Sequence, residues 1–274
     1  MKTFRGSVQK SKLLGLVVIT IGAVYLGGNV WSSTNKLQKS SIQVNNRTQN
    51  CQVLSAEKYN GYVKLYLKNG SSKDITAFVI SSAISPNTIF KFEEEFVFSE
   101  ADFVITSGGI YEKQINIPSS LNKKQDLSFD LSAVIFDDKS SEGDQVVVKE
   151  ILDKRLGEKI QLMRTIPLLE RMLALPDRGM LPNFDSFKQE LITTLNAPGK
   201  DLLTQLEEQR PQVKGSQIVN KLSKQMETGL QTGQEAVLRE IQNLEELQKH
   251  QGGSTLREEI IRIKQTYERI LSRL

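Results

Sequence analysis

The sequence predicts a multi-part α+β protein: an N-terminal transmembrane helix, an antiparallel β-sandwich and a C-terminal α-helical region ending in a helical hairpin. Three observations predict it. The 19 residues from Leu13 to Trp31 carry no charge. Of the 18 aromatic residues, 12 fall between Tyr59 and Phe136, and aromatic and β-branched enrichment marks strands. From Asp144 onward the apolar residues recur at three- and four-residue spacing, the period of a helix packed on one face.

A helix of 19 residues spans about 28 Å, close to the hydrocarbon thickness of a bilayer. Lys2, Arg5, Lys10 and Lys12 precede the run with no acid among them, and Tyr25 and Trp31 lie toward its far end, where amphipathic rings favour the interface. The run reads as an uncleaved anchor behind a basic tail at residues 1–12. The alternative is a cleaved signal peptide, with Val30-Trp31-Ser32 as its best site and a bulky Trp in the middle of that site. Basic residues on the N-terminal side place the N-terminus in the cytoplasm and the body outside. Lys36, Lys39 and Arg47 narrow that margin.

The formal charge of +4 belongs to the anchor and its flanks. Seven of the 36 Lys and Arg, and none of the 32 Asp and Glu, fall in residues 1–50, so the rest of the chain is net −3. That distribution argues against nucleic-acid binding. Residues 32–50, rich in Ser, Asn, Gln and Lys, read as a polar stalk. Cys51 is the single cysteine, which excludes an internal disulfide; it reads as a small apolar residue opening a strand.

The β domain is expected over residues 51–143. In Tyr62 to Lys68, Val63, Leu65 and Leu67 face one side and Tyr62, Lys64, Tyr66 and Lys68 the other. Asn69-Gly70-Ser71-Ser72 supplies a turn and Ile75 to Ile80 a second strand, which predicts a hairpin. Further strands are expected at Ile89 to Phe92, Phe96 to Phe98, Phe103 to Thr106, Tyr111 to Ile117 and Leu127 to Phe136. In the last, Leu127, Phe129, Leu131, Ala133 and Ile135 form one inward face. The order strand, Leu67-Lys68-Asn69-Gly70-Ser71-Ser72-Lys73, Ile75 and next strand resembles the immunoglobulin-like, FxLYD-type β-sandwich modules of exported bacterial proteins. That resemblance implies a binding-module role and brings no catalytic residues with it.

A helical region is expected over residues 144–210. Val147, Val148, Ile151, Leu152, Leu156, Ile160, Met163 and Ile166 line one face, Asp144 caps the start and Pro167 ends or kinks the helix. Short helices follow around Phe184 to Leu195 and Lys200 to Gln209. Residues 211–274 read as the hairpin: a helix from about Ser216 to Lys249, a break at Gln251-Gly252-Gly253, and a restart at Thr255 with Glu258 in the capping-box position. Leu256, Ile260, Ile263, Tyr267, Ile270 and Leu274 make a short coiled-coil-like seam, which predicts a protein partner or self-association. Gly229 and Gly233 weaken the first helix or admit a partner helix closely.

No catalytic, cofactor-binding or metal-ligating residue is assigned. His250 is the single histidine, so a multi-histidine or Cys/His metal centre is excluded. Asp138, Ser140, Glu142 and Gly143 match the opening positions of a calcium loop, but Lys149 stands where a bidentate Glu is required, and the stretch reads as a strand-to-helix connection. Glu93-Glu94-Glu95 reads as a solvated edge. Gly108-Gly109 lacks the spacing of a phosphate loop. These features point to a non-enzymatic, membrane-anchored interaction or assembly module at the cell envelope. The alternative is an extracytoplasmic binder of lipid, glycan or peptide, with Tyr62, Tyr66 and Tyr111 as contacts.

Overall fold

The alternation in Tyr62 to Asn69 is what the fold is built around: every second residue is buried, and the strand holds the middle of a sheet. The computed structural model describes residues 40–98, 104–124, 126–197, 223–250 and 253–274, all within one unit, Leu37–Leu274. The run Leu13–Trp31 lies outside the described residues, and among these no helix is long and apolar enough to cross a membrane.

The protein is mixed α+β. Strands β1 (Ser40–Ser41), β3 (Cys51–Tyr59), β4 (Tyr62–Asn69) and β7 (Ile110–Asn116) form one sheet in the order β1-β3-β4-β7. Strands β2 (Gln43–Asn46), β8 (Ser128–Phe136), β5 (Ile75–Ser85) and β6 (Thr88–Glu95) form the other, with β9 (Ser141–Gly143) added on β8. Val63, Leu65, Leu67 and Ile115 from the first sheet meet Phe78, Ile80, Phe129, Leu131 and Val134 from the second in one buried cluster.

Four expectations change. The polar stalk is shorter than residues 32–50, because β1 and β2 enter one sheet each. The sandwich is not wholly antiparallel, since β2 runs parallel to β8. Phe96 to Phe98 is not a strand, and Ile105 makes only an isolated bridge to Ile75. The hairpin pairs β3 with β4 across Asn60-Gly61, where Gly61 takes φ +89°; β4 and β5 lie in different sheets. The buried Asn69 dictates that corner. Its side-chain amide donates to the carbonyls of Lys73 and Ile105, and its Oδ1 accepts from the Ser71 amide and hydroxyl. A side chain spent in this way turns the chain out of the sheet rather than back along it.

The single inward face expected for β8 is also corrected. Val79 lies opposite Ala133 and Ile80 opposite Leu131, so Ser132 is unopposed. This bulge reverses the alternation. Phe129 and Leu131 face the sandwich core, then Val134 and Phe136 do, while Ala133 and Ile135 point out to helix α2 (Gln145–Leu173) together with Ala77 and Val79.

Before it comes the single turn α1 (Ser119–Asn122); after it, α3 (Asp177–Asn196), α4 (Lys224–His250) and α5 (Gly253–Arg273). Asp144 caps α2, its Oδ1 accepting from the Val146 amide at 2.9 Å. The helix runs through Pro167 to Leu173 instead of ending there. Burial of Leu168, Leu169 and Met172, worth about 1.5–3 kcal/mol each, outweighs the ~3 kcal/mol cost of an interior proline. Lys200–Gln209 lies outside the described residues, as does the start of the helix expected from Ser216. Thr255 is not a cap, because α5 already begins at Gly253.

Gly229 and Gly233 do admit a helix, and it is α2. A Cβ on Gly229 would collide with the Lys154 carbonyl, and one on Gly157 with the Met226 carbonyl; one on Gly233 would lie 3.2 Å from the Glu158 Cα. Overpacking of this kind costs about 1–3 kcal/mol. Gly229→Ala is therefore expected to lower the denaturant midpoint clearly and Gly233→Ala much less; an unchanged midpoint for Gly229→Ala contradicts the contact.

Candidate functional site

Along α2 the residues facing sheet and helices are not all apolar. Asp153, Arg155, Glu158, Gln161 and Thr165 are buried beside Ile151, Leu156 and Ile160. Each needs a partner or carries a desolvation penalty. Arg155 finds one: Nε donates to Glu95 Oε2 at 2.9 Å and one Nη to Glu95 Oε1 at 2.8 Å and Thr76 Oγ1 at 3.1 Å. Asp153 accepts from Lys149 Nζ and from the Ser223 hydroxyl. Thr165 donates back to the Gln161 carbonyl.

The acidic triplet on β6 is therefore no solvated edge. Glu93 pairs with Lys154 at 2.8 Å, Glu94 with Lys113 at 2.6 Å and Glu95 with the buried Arg155. Alternation sends Glu93 and Glu95 to α2 and Glu94 toward β7. Burial opposes the charge on Lys154, but the hydrogen bond and charge of Glu93, with Glu158 and Glu95 behind it, hold the ammonium above its ordinary range.

Glu158 is the exception. It is 1% exposed, its Oε2 meets no hydrogen-bond partner, and burial pushes its carboxyl up to about 8. Lys154 and Arg155 oppose that rise, while Glu95 and Glu93 add to it. A carboxyl shifted so far marks functional sites elsewhere. At 1% exposure it lies buried in the junction behind the α2–α4 contact.

An open polar cleft of about 380 Å³ lies at one end of the sandwich, lined by Asn50, Ser71, Lys73, Phe136, Ser140 and Glu142 among others. Lys73 Nζ sits 2.6 Å from Asp138 and 2.9 Å from the Ser140 hydroxyl. Asp138 also accepts the Ser140 amide, and these contacts lower its carboxyl to about 2. Glu142 accepts the amides of Gln49 and Asn50. The carboxylates of the calcium-like loop thus diverge to separate partners: Asp138 to Lys73, Glu142 to the β2–β3 turn and Asp144 to the α2 cap. Among the described residues no group of three or more His, Cys, Asp or Glu converges on a common point. The cleft presents hydroxyls, an amide, the Glu142 carboxylate and a lysine paired with Asp138, which suits a polar ligand.

The tyrosines separate. Tyr62 stacks on Tyr59 at 4.8 Å, and Tyr66 shares its outward face under the Lys64 ammonium. Tyr111 instead turns inward against Phe78 and Phe96, where burial pushes its hydroxyl up to about 12. Cys51 opens β3 fully buried, which raises its thiol to about 12 and leaves it inert. His250 ends α4, and Gly108-Gly109 forms a turn before β7. Sequence reading missed the charged row on α2; Asp153, Arg155 and Glu158 among apolar residues at helical spacing were its only signal.

The seam residues Leu256, Ile260, Ile263, Tyr267 and Ile270 are buried, with Leu274 against them, in a core shared with α2, α3 and α4. Their partner is the same chain. Comparison of the chain with protein-family models, curated proteins and solved structures gives no match.

Two outcomes follow from these placements. Because the folded state holds the Glu158 proton between pH 4.5 and about 8, this residue removes stability as pH rises through that window, and all of its penalty is present above it. Glu158→Gln should therefore stabilise the protein at the alkaline end and hardly at all at the acid end, read as unfolding midpoints; equal effects at both ends contradict a raised carboxyl. Ile260→Ala should cost about 2–5 kcal/mol of folding stability. A change in oligomeric mass at an unchanged midpoint would mean that the seam joins two chains.

Proposed function

We propose that the chain is a single-pass, membrane-anchored exported protein whose body is a non-enzymatic protein–protein interaction or assembly module at the cell envelope. The uncharged run Leu13–Trp31, behind four basic residues, carries this reading. The two facing sheets, with a corner at Asn69 that carries the chain from one to the other, support an immunoglobulin-like, FxLYD-type sandwich as its β part. With the C-terminal seam occupied inside the chain, the partner surface is the outward, largely charged face of α4 and α5, on which Ile261 is exposed.

A second reading, an extracytoplasmic ligand-binding protein, is favoured by the open polar cleft of about 380 Å³. Membranes washed in alkaline carbonate should retain the full chain, and protease added from outside should remove the body; release into the wash overturns the anchor. A photo-crosslinking residue at Ile261 should capture a discrete protein adduct. A small molecule co-purifying in native mass spectrometry, without such an adduct, favours the second reading.

A further inference from the structure

We propose that the end of the sandwich where the chain enters it is a lipid-contact surface, on which Lys58, Lys123, Lys124, the Tyr59–Tyr62 pair and Ile89 seat the body on an anionic bilayer. The inference rests on the membrane-anchored reading above and adds an orientation to it.

Pairing locates the entrance. Ser40 lies opposite Lys58 and Ser41 opposite Glu57, so β1 starts beside the tip of the β3–β4 hairpin and runs away from it. Gln43 lies opposite Ser128 and Asn46 opposite Leu131, so β2 leaves the same end. Eight residues separate Trp31 from Ser40, a reach of at most about 30 Å. The chain therefore enters the body at this end.

Three turns are tied together there. The Asn60-Gly61 turn is held by Asn122, whose Oδ1 accepts the Gly61 amide and whose Nδ2 donates to Asn60. Lys58 Nζ donates to the Lys124 carbonyl, and Lys124 Nζ donates to Ala83 in the β5–β6 hairpin. That hairpin carries Pro86 at its tip and Ile89, which is 70% exposed, the highest value among the exposed large hydrophobic residues. A large aliphatic on the outer face of the second sheet, stacked tyrosines on the outer face of the first and lysines at the turns between them are residue types that membrane interfaces favour, and lysines there are drawn to anionic headgroups. The acids at this end are Glu57, bonded by the Tyr59 hydroxyl, and Asp126. The opposite end gathers Asp74, Asp137, Asp138, Glu142 and Asp144 around Arg47, Lys68, Lys73 and Lys139. Bases thus exceed acids at the entrance and acids exceed bases at the far end.

The helices leave the surface clear. Lys91 meets Glu150, Glu93 meets Lys154, Glu95 meets Arg155, and Val97 joins the helical core. The helix α2 therefore follows β6 away from the Pro86 tip. With 11 residues in β5 at about 3.3 Å each, the two ends lie on the order of 30 Å apart.

The test uses the full chain reconstituted in vesicles of phosphatidylglycerol and phosphatidylcholine that contain a lipid-borne quencher. One fluorophore is placed at Ile89→Cys or, separately, at Ser72→Cys at the far end; the buried Cys51 takes no label. Flotation is checked first. The label at position 89 should be quenched several-fold more than that at 72, and Lys123→Glu should weaken the difference without moving the unfolding midpoint. Equal quenching at both positions, on vesicles with which the chain floats, overturns the lipid-contact surface and leaves the anchor intact. Undiminished quenching on phosphatidylcholine alone overturns the anionic headgroup as its ligand. A chain that does not float overturns the anchor, and the surface with it.

Discussion

Helix α2 is the element on which two cores depend, and a backbone contact sets its place. At Gly157 and Gly229 the main chains of α2 and α4 approach so closely that neither position admits a β-carbon. With the helices held there, Val148 and Ile151 cover Ala77, Val79, Ala133 and Ile135 on the sheet, while Leu162, Leu168, Leu169 and Met172 enter the helical core. One helix thus gives its first turns to a sheet and its last to a bundle. The same closeness confines Glu158, which is why that carboxyl keeps its proton so far above the ordinary range.

The charges at this junction supply register rather than net cohesion. A buried ion pair gains little over an apolar contact of equal volume, yet removing one partner is costly. Arg155 between Glu95 and Thr76, and Lys154 on Glu93, lock α2 against β6 at one axial setting. An apolar stripe alone would let the helix slide. The edge strand is blunted at the same time, since its final three side chains are engaged with α2 and β7 rather than left open to another strand.

How much was legible beforehand follows from the range of each interaction. Local period was readable: the alternation of β4, the helical spacing from Val147 to Ile166 and the cap at Asp144 all stand where neighbouring residues place them. What failed was decided far away in sequence. Asn69-Gly70 has the composition of a hairpin turn, but the Asn69 amide is claimed by Ile105, 36 residues on. The face of β8 reverses at Ser132 because of its pairing with β5. Pro167 breaks helices in isolation and is overridden by burial on both sides. The seam from Leu256 to Ile270 was legible as a seam, whereas its occupant was not, because periodicity names a face without naming what covers it. The charged row on α2 was hidden for the same reason: nothing near Arg155 and Glu158 in sequence names the β6 strand and the α4 helix that cover them.

The parallel pairing of β2 with β8 imposes an order in time. Asn45 bonds Asp130 across a separation of 85 residues, and Arg47 reaches Asp130 and Asp144. As the chain emerges from the ribosome, β3 and β4 can zip as soon as Asn69 is free, but β2 has no neighbour until Leu131 follows. The first strand of the second sheet must therefore wait, unpaired, while more than half of the sandwich is made. Closing so long a loop slows folding, and it makes the completion of β8 the event that commits the N-terminal segment to the fold.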